Sequence, residues 1–100
     1  RIAALLAPLD DPLTRLTVTA ERACLRGIEG DCHTPFAAMA FRDEADGLCL
    51  HARLMHPDGQ GLDARRMVIL RDDPLAQAEE LGQVMARNLL ERFRSHLPRS

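Results

Sequence analysis

One hundred residues make one domain, and a chain of that length buries roughly 60–70% of its unfolded surface, enough for a single modest core. The apolar share is 46%, drawn from Ala, Leu, Met and Val with three Phe and no Trp or Tyr, which suggests a thin layer of helix on sheet with few aromatic anchors for a partner. A net charge of −2 with interspersed signs argues against nucleic-acid binding, which usually needs a basic stripe, and no run approaches the roughly 20 apolar residues of a membrane span.

Residues 1 to about 12 read as the tail of a preceding domain and a linker, broken by Pro8 and the Asp10-Asp11-Pro12 cluster, with the domain proper expected over 13–100. Thr19 then offers an N-cap hydroxyl ahead of Ala20, with Glu21 in the first turn, where a negative charge suits the helix dipole. Ala20, Ala23, Cys24 and Ile28 fall at helical spacing, which makes Cys24 a core residue. Gly27 and Gly30 interrupt this helix and Pro35 bars its resumption, so Gly30 to Thr34 should be a surface turn that presents Cys32.

Phe36 to Phe41 are small and apolar, as in a strand buried on both faces, and Asp43 to Gly47 is a hairpin connection. Leu48, Leu50, Ala52 and Leu54 alternate with Cys49, His51, Arg53 and Met55, which makes a half-buried strand with one apolar face. Pro57-Asp58-Gly59-Gln60-Gly61 is turn chemistry ahead of a third strand from about Asp63 to Leu70. Asp72 or Asp73 caps a last helix whose first position suits Pro74, and Leu75, Ala78, Leu81, Met85, Leu89 and Phe93 form its apolar stripe. The expected fold is α+β: a three-stranded antiparallel sheet with helices packed on one face, in the order α-β-β-β-α.

Three Cys cannot all pair, and their spacings of eight and seventeen residues match no zinc pattern. Cys32-His33 are adjacent and Cys49 and His51 share a strand face, but neither has the second ligand cluster that a metal needs, so no metal site is expected. All thirteen cations are Arg, the side chain best suited to bidentate recognition of carboxylates.

The stretch from Ala20 to Pro35 carries a resemblance. Glu21-Arg22-Ala23, Leu25, Glu29-Gly30, Cys32 and Pro35 stand without a gap at the spacing of the segment A-E-R-x-x-L-x-x-L-E-G-G-C-x-x-P of porphobilinogen deaminases, also called hydroxymethylbilane synthases. The likeness continues through the hairpin at Asp43 to Gly47, the Pro57-Asp58-Gly59 turn and the last helix. The chain thus resembles the C-terminal domain of that family, and the resemblance implies that it is part of a longer cytoplasmic transferase of haem and tetrapyrrole biosynthesis. It implies a dipyrromethane cofactor held as a thioether on Cys32, with Arg22 as a candidate partner for the carboxylates of the pyrroles. The partners so implied are the growing porphobilinogen-derived pyrrole chain and two preceding domains of the same polypeptide. The catalytic aspartate of the family belongs to those domains, so no catalytic residue is expected here and this domain alone should not turn over.

The attachment chemistry implied is addition of a sulfur nucleophile to the exocyclic carbon of an azafulvene, formed when a hydroxymethyl or aminomethyl pyrrole loses water or ammonia. The chain departs from the family pattern at Asp31, which replaces the second glycine, and His33 follows the cysteine. Aspartate tolerates left-handed backbone better than most residues, but it adds a negative charge beside a polyanionic cofactor. The competing expectation is a non-catalytic α+β interaction module, or a degenerate family member that does not load cofactor, with an open sheet face available for pairing.

Overall fold

A computed structural model describes residues 12–30, 35–43, 45–55 and 59–95. Residues 1–11, read above as a tail and linker, lie outside them, as do Pro57 and Asp58 of the expected turn. The element order is α1 (Pro12–Glu29), β1 (Phe36–Arg42), β2 (Gly47–Met55), β3 (Gly61–Ile69) and α2 (Pro74–Ser95), the expected α-β-β-β-α.

The first helix does not begin after Thr19. It starts at Pro12, so Thr19 is interior and Glu21 sits mid-helix rather than in the first turn. Pro is tolerated at a first helical position because its missing N–H would have no intrahelical acceptor, and Leu16, Ala20, Ala23, Cys24 and Ile28 continue one buried stripe from there. Gly27 does not break the helix either. It serves packing: a methyl group there would lie 2.6 Å from the Cβ of Ala86 on α2.

The three strands form one antiparallel sheet in the order β1-β2-β3. Leu48, Leu50, Ala52 and Leu54 of β2 are all buried, with Ala40 of β1 and Leu62 of β3 beside them on the same face, as the alternation in β2 predicts. β1 departs from expectation, since Phe36, Ala38 and Ala40 are half-buried or buried while Ala37, Met39 and Phe41 are exposed, instead of being enclosed on both sides. Both helices lie on one face, and an antiparallel sheet can leave the other face to water. That outer face carries Met39 at 63% exposure and Met67 at 50%, together with Phe41 and Ile69. Phe41, Cys49 and Met67 lie directly across from one another on it. The hairpin closes by donation from Asp43 N to Gly47 O at 2.8 Å, and Asp46 takes the left-handed backbone (φ 57°) that such a turn requires.

The helices run side by side in the same direction: Pro12 lies near Pro74 at one end, and Gly27 meets Ala86 further along. Small residues let their backbones touch. Ala20, Ala23 and Cys24 of α1 face Ala78, Gly82 and Ala86 of α2, all of them buried. A methyl group on Gly82 would sit 2.6 Å from the Cβ of Ala23 and 2.7 Å from the backbone N of Cys24. Below this contact Ile28, Met85 and Leu89 press on Leu48, Leu50 and Leu54 to form the core.

α2 is capped as its sequence predicts, with Asp73 Oδ1 accepting the N–H of Ala76 at 3.2 Å. Its buried stripe includes Ala78, Leu81, Met85, Leu89 and Phe93, but Leu75 is exposed. In the first turn Leu75 faces the flank of α1 near Arg15 and Arg22, not the sheet.

Candidate functional site

The helix α1 and the strand β1 bracket the segment singled out by sequence. α1 ends at Glu29, Gly30 follows as an exposed turn residue, and the chain rejoins the sheet at Pro35, whose carbonyl accepts the N–H of Met55 at 2.9 Å. Cys32, with Asp31, His33 and Thr34, lies outside the described residues. The structure thus describes the two supports of this cysteine.

Arg22 is exposed on α1 and, with Arg15, Thr19 and Arg26, lines a shallow groove closed on the α2 side by Leu75 and Glu79. Arg26 is paired there with Glu79 at 2.6 Å. Arg22 has no polar partner among the described residues. Eight residues of helix, about 12 Å of rise, separate it from Gly30.

Glu21 occupies the neighbouring face and points the other way, its Oε2 accepting the backbone N–H of Ala40 at 2.8 Å. This link between α1 and β1 is invisible in sequence. Nothing in the spacing of residues 21 and 40 signals it, because it depends on which strand edge the helix happens to lie along.

The described cysteines differ in character. Cys24 is fully buried between the helices, and that burial pushes its thiol up to about 11 from an ordinary 9.0, so it stays protonated and unreactive near neutral pH. It is the core residue its spacing predicts. Cys49 is half-buried on the outer sheet face, beside Phe41 and Met67. His51 shares that face but leans toward Asp63, with 3.6 Å between Nε2 and Oδ1, and Asp63 is also held by Arg53 at 3.0 Å. Among the described residues no three of His, Cys, Asp and Glu converge as a metal site would require.

A cofactor bearing acetate and propionate groups would need a thiol for its covalent bond and unpaired cations for its carboxylates. Cys24 is unfit for the first role, being enclosed and protonated. Arg22 and Arg15 fit the second, since both are exposed and neither is paired with a described acid.

Residues 15–91, from the first turns of α1 nearly to the end of α2, match the family described as porphobilinogen deaminase, C-terminal domain. The chain belongs to this family. Its relatives include proteins named porphobilinogen deaminase from Bordetella parapertussis, 44% identical over 90 residues, and Stenotrophomonas maltophilia, 41% identical over 91 residues. Another, from Roseiflexus castenholzii, is 39% identical over 87 residues. These alignments cover 87–91% of the chain but only 27–28% of the relatives, so the chain spans about a quarter of their length. The matched domain is thus an α+β unit here, with α1 leading into the segment that carries the resemblance. No helix among the described residues is long and apolar enough to cross a membrane.

Proposed function

We propose that this chain is the cofactor-carrying C-terminal domain of a cytoplasmic porphobilinogen deaminase, a transferase that condenses four porphobilinogen units to hydroxymethylbilane in haem and tetrapyrrole biosynthesis. The observation that carries this reading is the family match over residues 15–91, which takes in the whole segment from Glu21 to Pro35. When bound, the dipyrromethane supplies the primer on which the pyrrole chain is built. Cys32 is the residue that holds it, as a thioether stable through repeated turnovers. Arg22 offers a planar pair of donors to a pyrrole carboxylate. Cys24 takes no part, because a neutral thiol enclosed between two helices can neither reach nor attack an electrophile.

The two domains that precede this one in the complete polypeptide supply the catalytic carboxylate and further arginines, so the chain by itself forms no hydroxymethylbilane. The test is the intact mass and absorbance spectrum of the complete polypeptide beside its Cys32→Ala variant. A mass excess of two substrate-derived pyrroles that maps to Cys32 and disappears in the variant is the expected result. An unmodified Cys32 after incubation with porphobilinogen would refute the reading. The exposed Met39, Phe41, Met67 and Ile69 favour a second reading, a non-catalytic interaction module or a family member that does not load cofactor, and that same outcome would support it.

A further inference from the structure

The pairing of β1 with β2 leaves alternate backbone groups facing away from the sheet. Asp43 donates to Gly47, and Met55 donates to Pro35, so these pairs are hydrogen-bonded. Counting inward by twos, the amides of Phe36, Ala38, Ala40 and Arg42 point out of the free edge of β1. Glu21 meets the third of these. Its bond to Ala40 N is 2.8 Å long, partly buried and charge-assisted, the stronger kind of hydrogen bond. Ala40 is also the one buried residue of β1.

The opposite edge is served in the same way by α2. Arg92 Nη1 donates to the carbonyl of Asp63 at 2.9 Å, and Gln77 Nε2 donates to that of Ile69 at 2.8 Å. Each helix is thereby tied to the strand edge it covers. On the α1 side the tied elements are consecutive, and the six residues that join them, 30–35, include Cys32. The Glu21 bond therefore closes the chain between residues 21 and 40 and adds to the packing that holds α1 beside β1.

We propose that Glu21 is a positioning residue for the attachment cysteine, acting through the backbone of Ala40 on the two supports of Cys32 and touching neither substrate nor cofactor. The inference rests on the reading of Cys32 as the attachment residue. In the complete polypeptide, Glu21→Ala should speed hydrogen exchange at the Ala40 amide about tenfold and slow the loading of pyrroles from porphobilinogen by a similar factor. Glu21→Gln keeps an oxygen acceptor of the same reach and should restore both to within about threefold. Glu21→Asp, one methylene shorter, should behave like Ala and serves if the Ala variant does not fold. Asp73→Ala removes the cap of α2 and loses stability but keeps both partners of the Glu21–Ala40 bond, so it should load at the parent rate. Normal loading by Glu21→Asp or Glu21→Ala, failure of Glu21→Gln, or equal slowing by Asp73→Ala would each overturn the proposal. Loading that persists in Cys32→Ala would instead sink the attachment reading, while exchange at Ala40 would still report the clamp.

Discussion

Replacing Gly82 by Ala sets two physical effects directly against each other. In an exposed helix the change stabilises by about 0.8–1.0 kcal/mol, because glycine has more backbone freedom to lose. At this position the new methyl would lie 2.6 Å from the Cβ of Ala23 and 2.7 Å from the N of Cys24, and closer still to the carbonyl oxygen of Ala20. Carbon atoms prefer separations of about 3.5–4.0 Å, so the helices must part by roughly 1 Å, and such overpacking costs about 1–3 kcal/mol. The close neighbours are mostly α1 backbone, which cannot rotate away, and parting also loosens Ala78 and Ala86 against α1. We expect a net loss of up to about 2 kcal/mol, or up to roughly 16 °C in Tm for a domain of this size. Urea unfolding followed by circular dichroism measures it, since the chain has no Trp or Tyr to report by fluorescence. Gly27→Ala sharpens the test, because its obstacle is the Cβ of Ala86 at 2.6 Å, which Ala86→Gly removes. The double variant should therefore be more stable than the two single changes summed, by about 0.5–3 kcal/mol of coupling. A Gly82→Ala protein more stable than the parent would refute the backbone contact and leave helix propensity in command.

Two other outcomes follow from the buried Cys24 and the cap of α2. The thiol of Cys24 is pushed up to about 11 from 9.0, so the folded state keeps its proton where the unfolded state has lost it. The resulting contribution is fully present below pH 9 and is lost as pH rises through 11, worth roughly 3 kcal/mol across that window. Cys24→Ala should flatten that alkaline fall in a pH series of urea midpoints, and an unchanged slope would contradict it. Asp73→Ala deletes the acceptor for Ala76 N and should lower stability by about 1 kcal/mol, read in the same urea assay.

Local pattern was a sound guide wherever one residue type could do only one thing. The alternation of Leu48, Leu50, Ala52 and Leu54 places all four on the inner face, and Asp73-Pro74 starts α2 where a capping carboxylate and a proline belong. Thr19 misled because a hydroxyl ahead of an apolar run fits a cap as well as it fits a helix interior, and packing of Leu16 and Ala20 on one stripe carries the helix back to Pro12. Phe36 to Phe41 misled for a related reason, since a short apolar strand looks the same whether it is covered on one face or on two.

By itself the sequence determined the order of elements, the faces of β2 and α2, and a segment from Ala20 to Pro35 specific enough to reveal a family that residues 15–91 match. Only the tertiary structure decided that Gly27 is a contact point rather than an interruption, that Gly82 lets α2 approach the backbone of α1, and that Glu21 reaches the amide of Ala40. Periodicity and caps depend on residues a few positions apart and are written locally. Whether a side chain meets a backbone 19 residues away depends on how whole elements lie together, which no local pattern records.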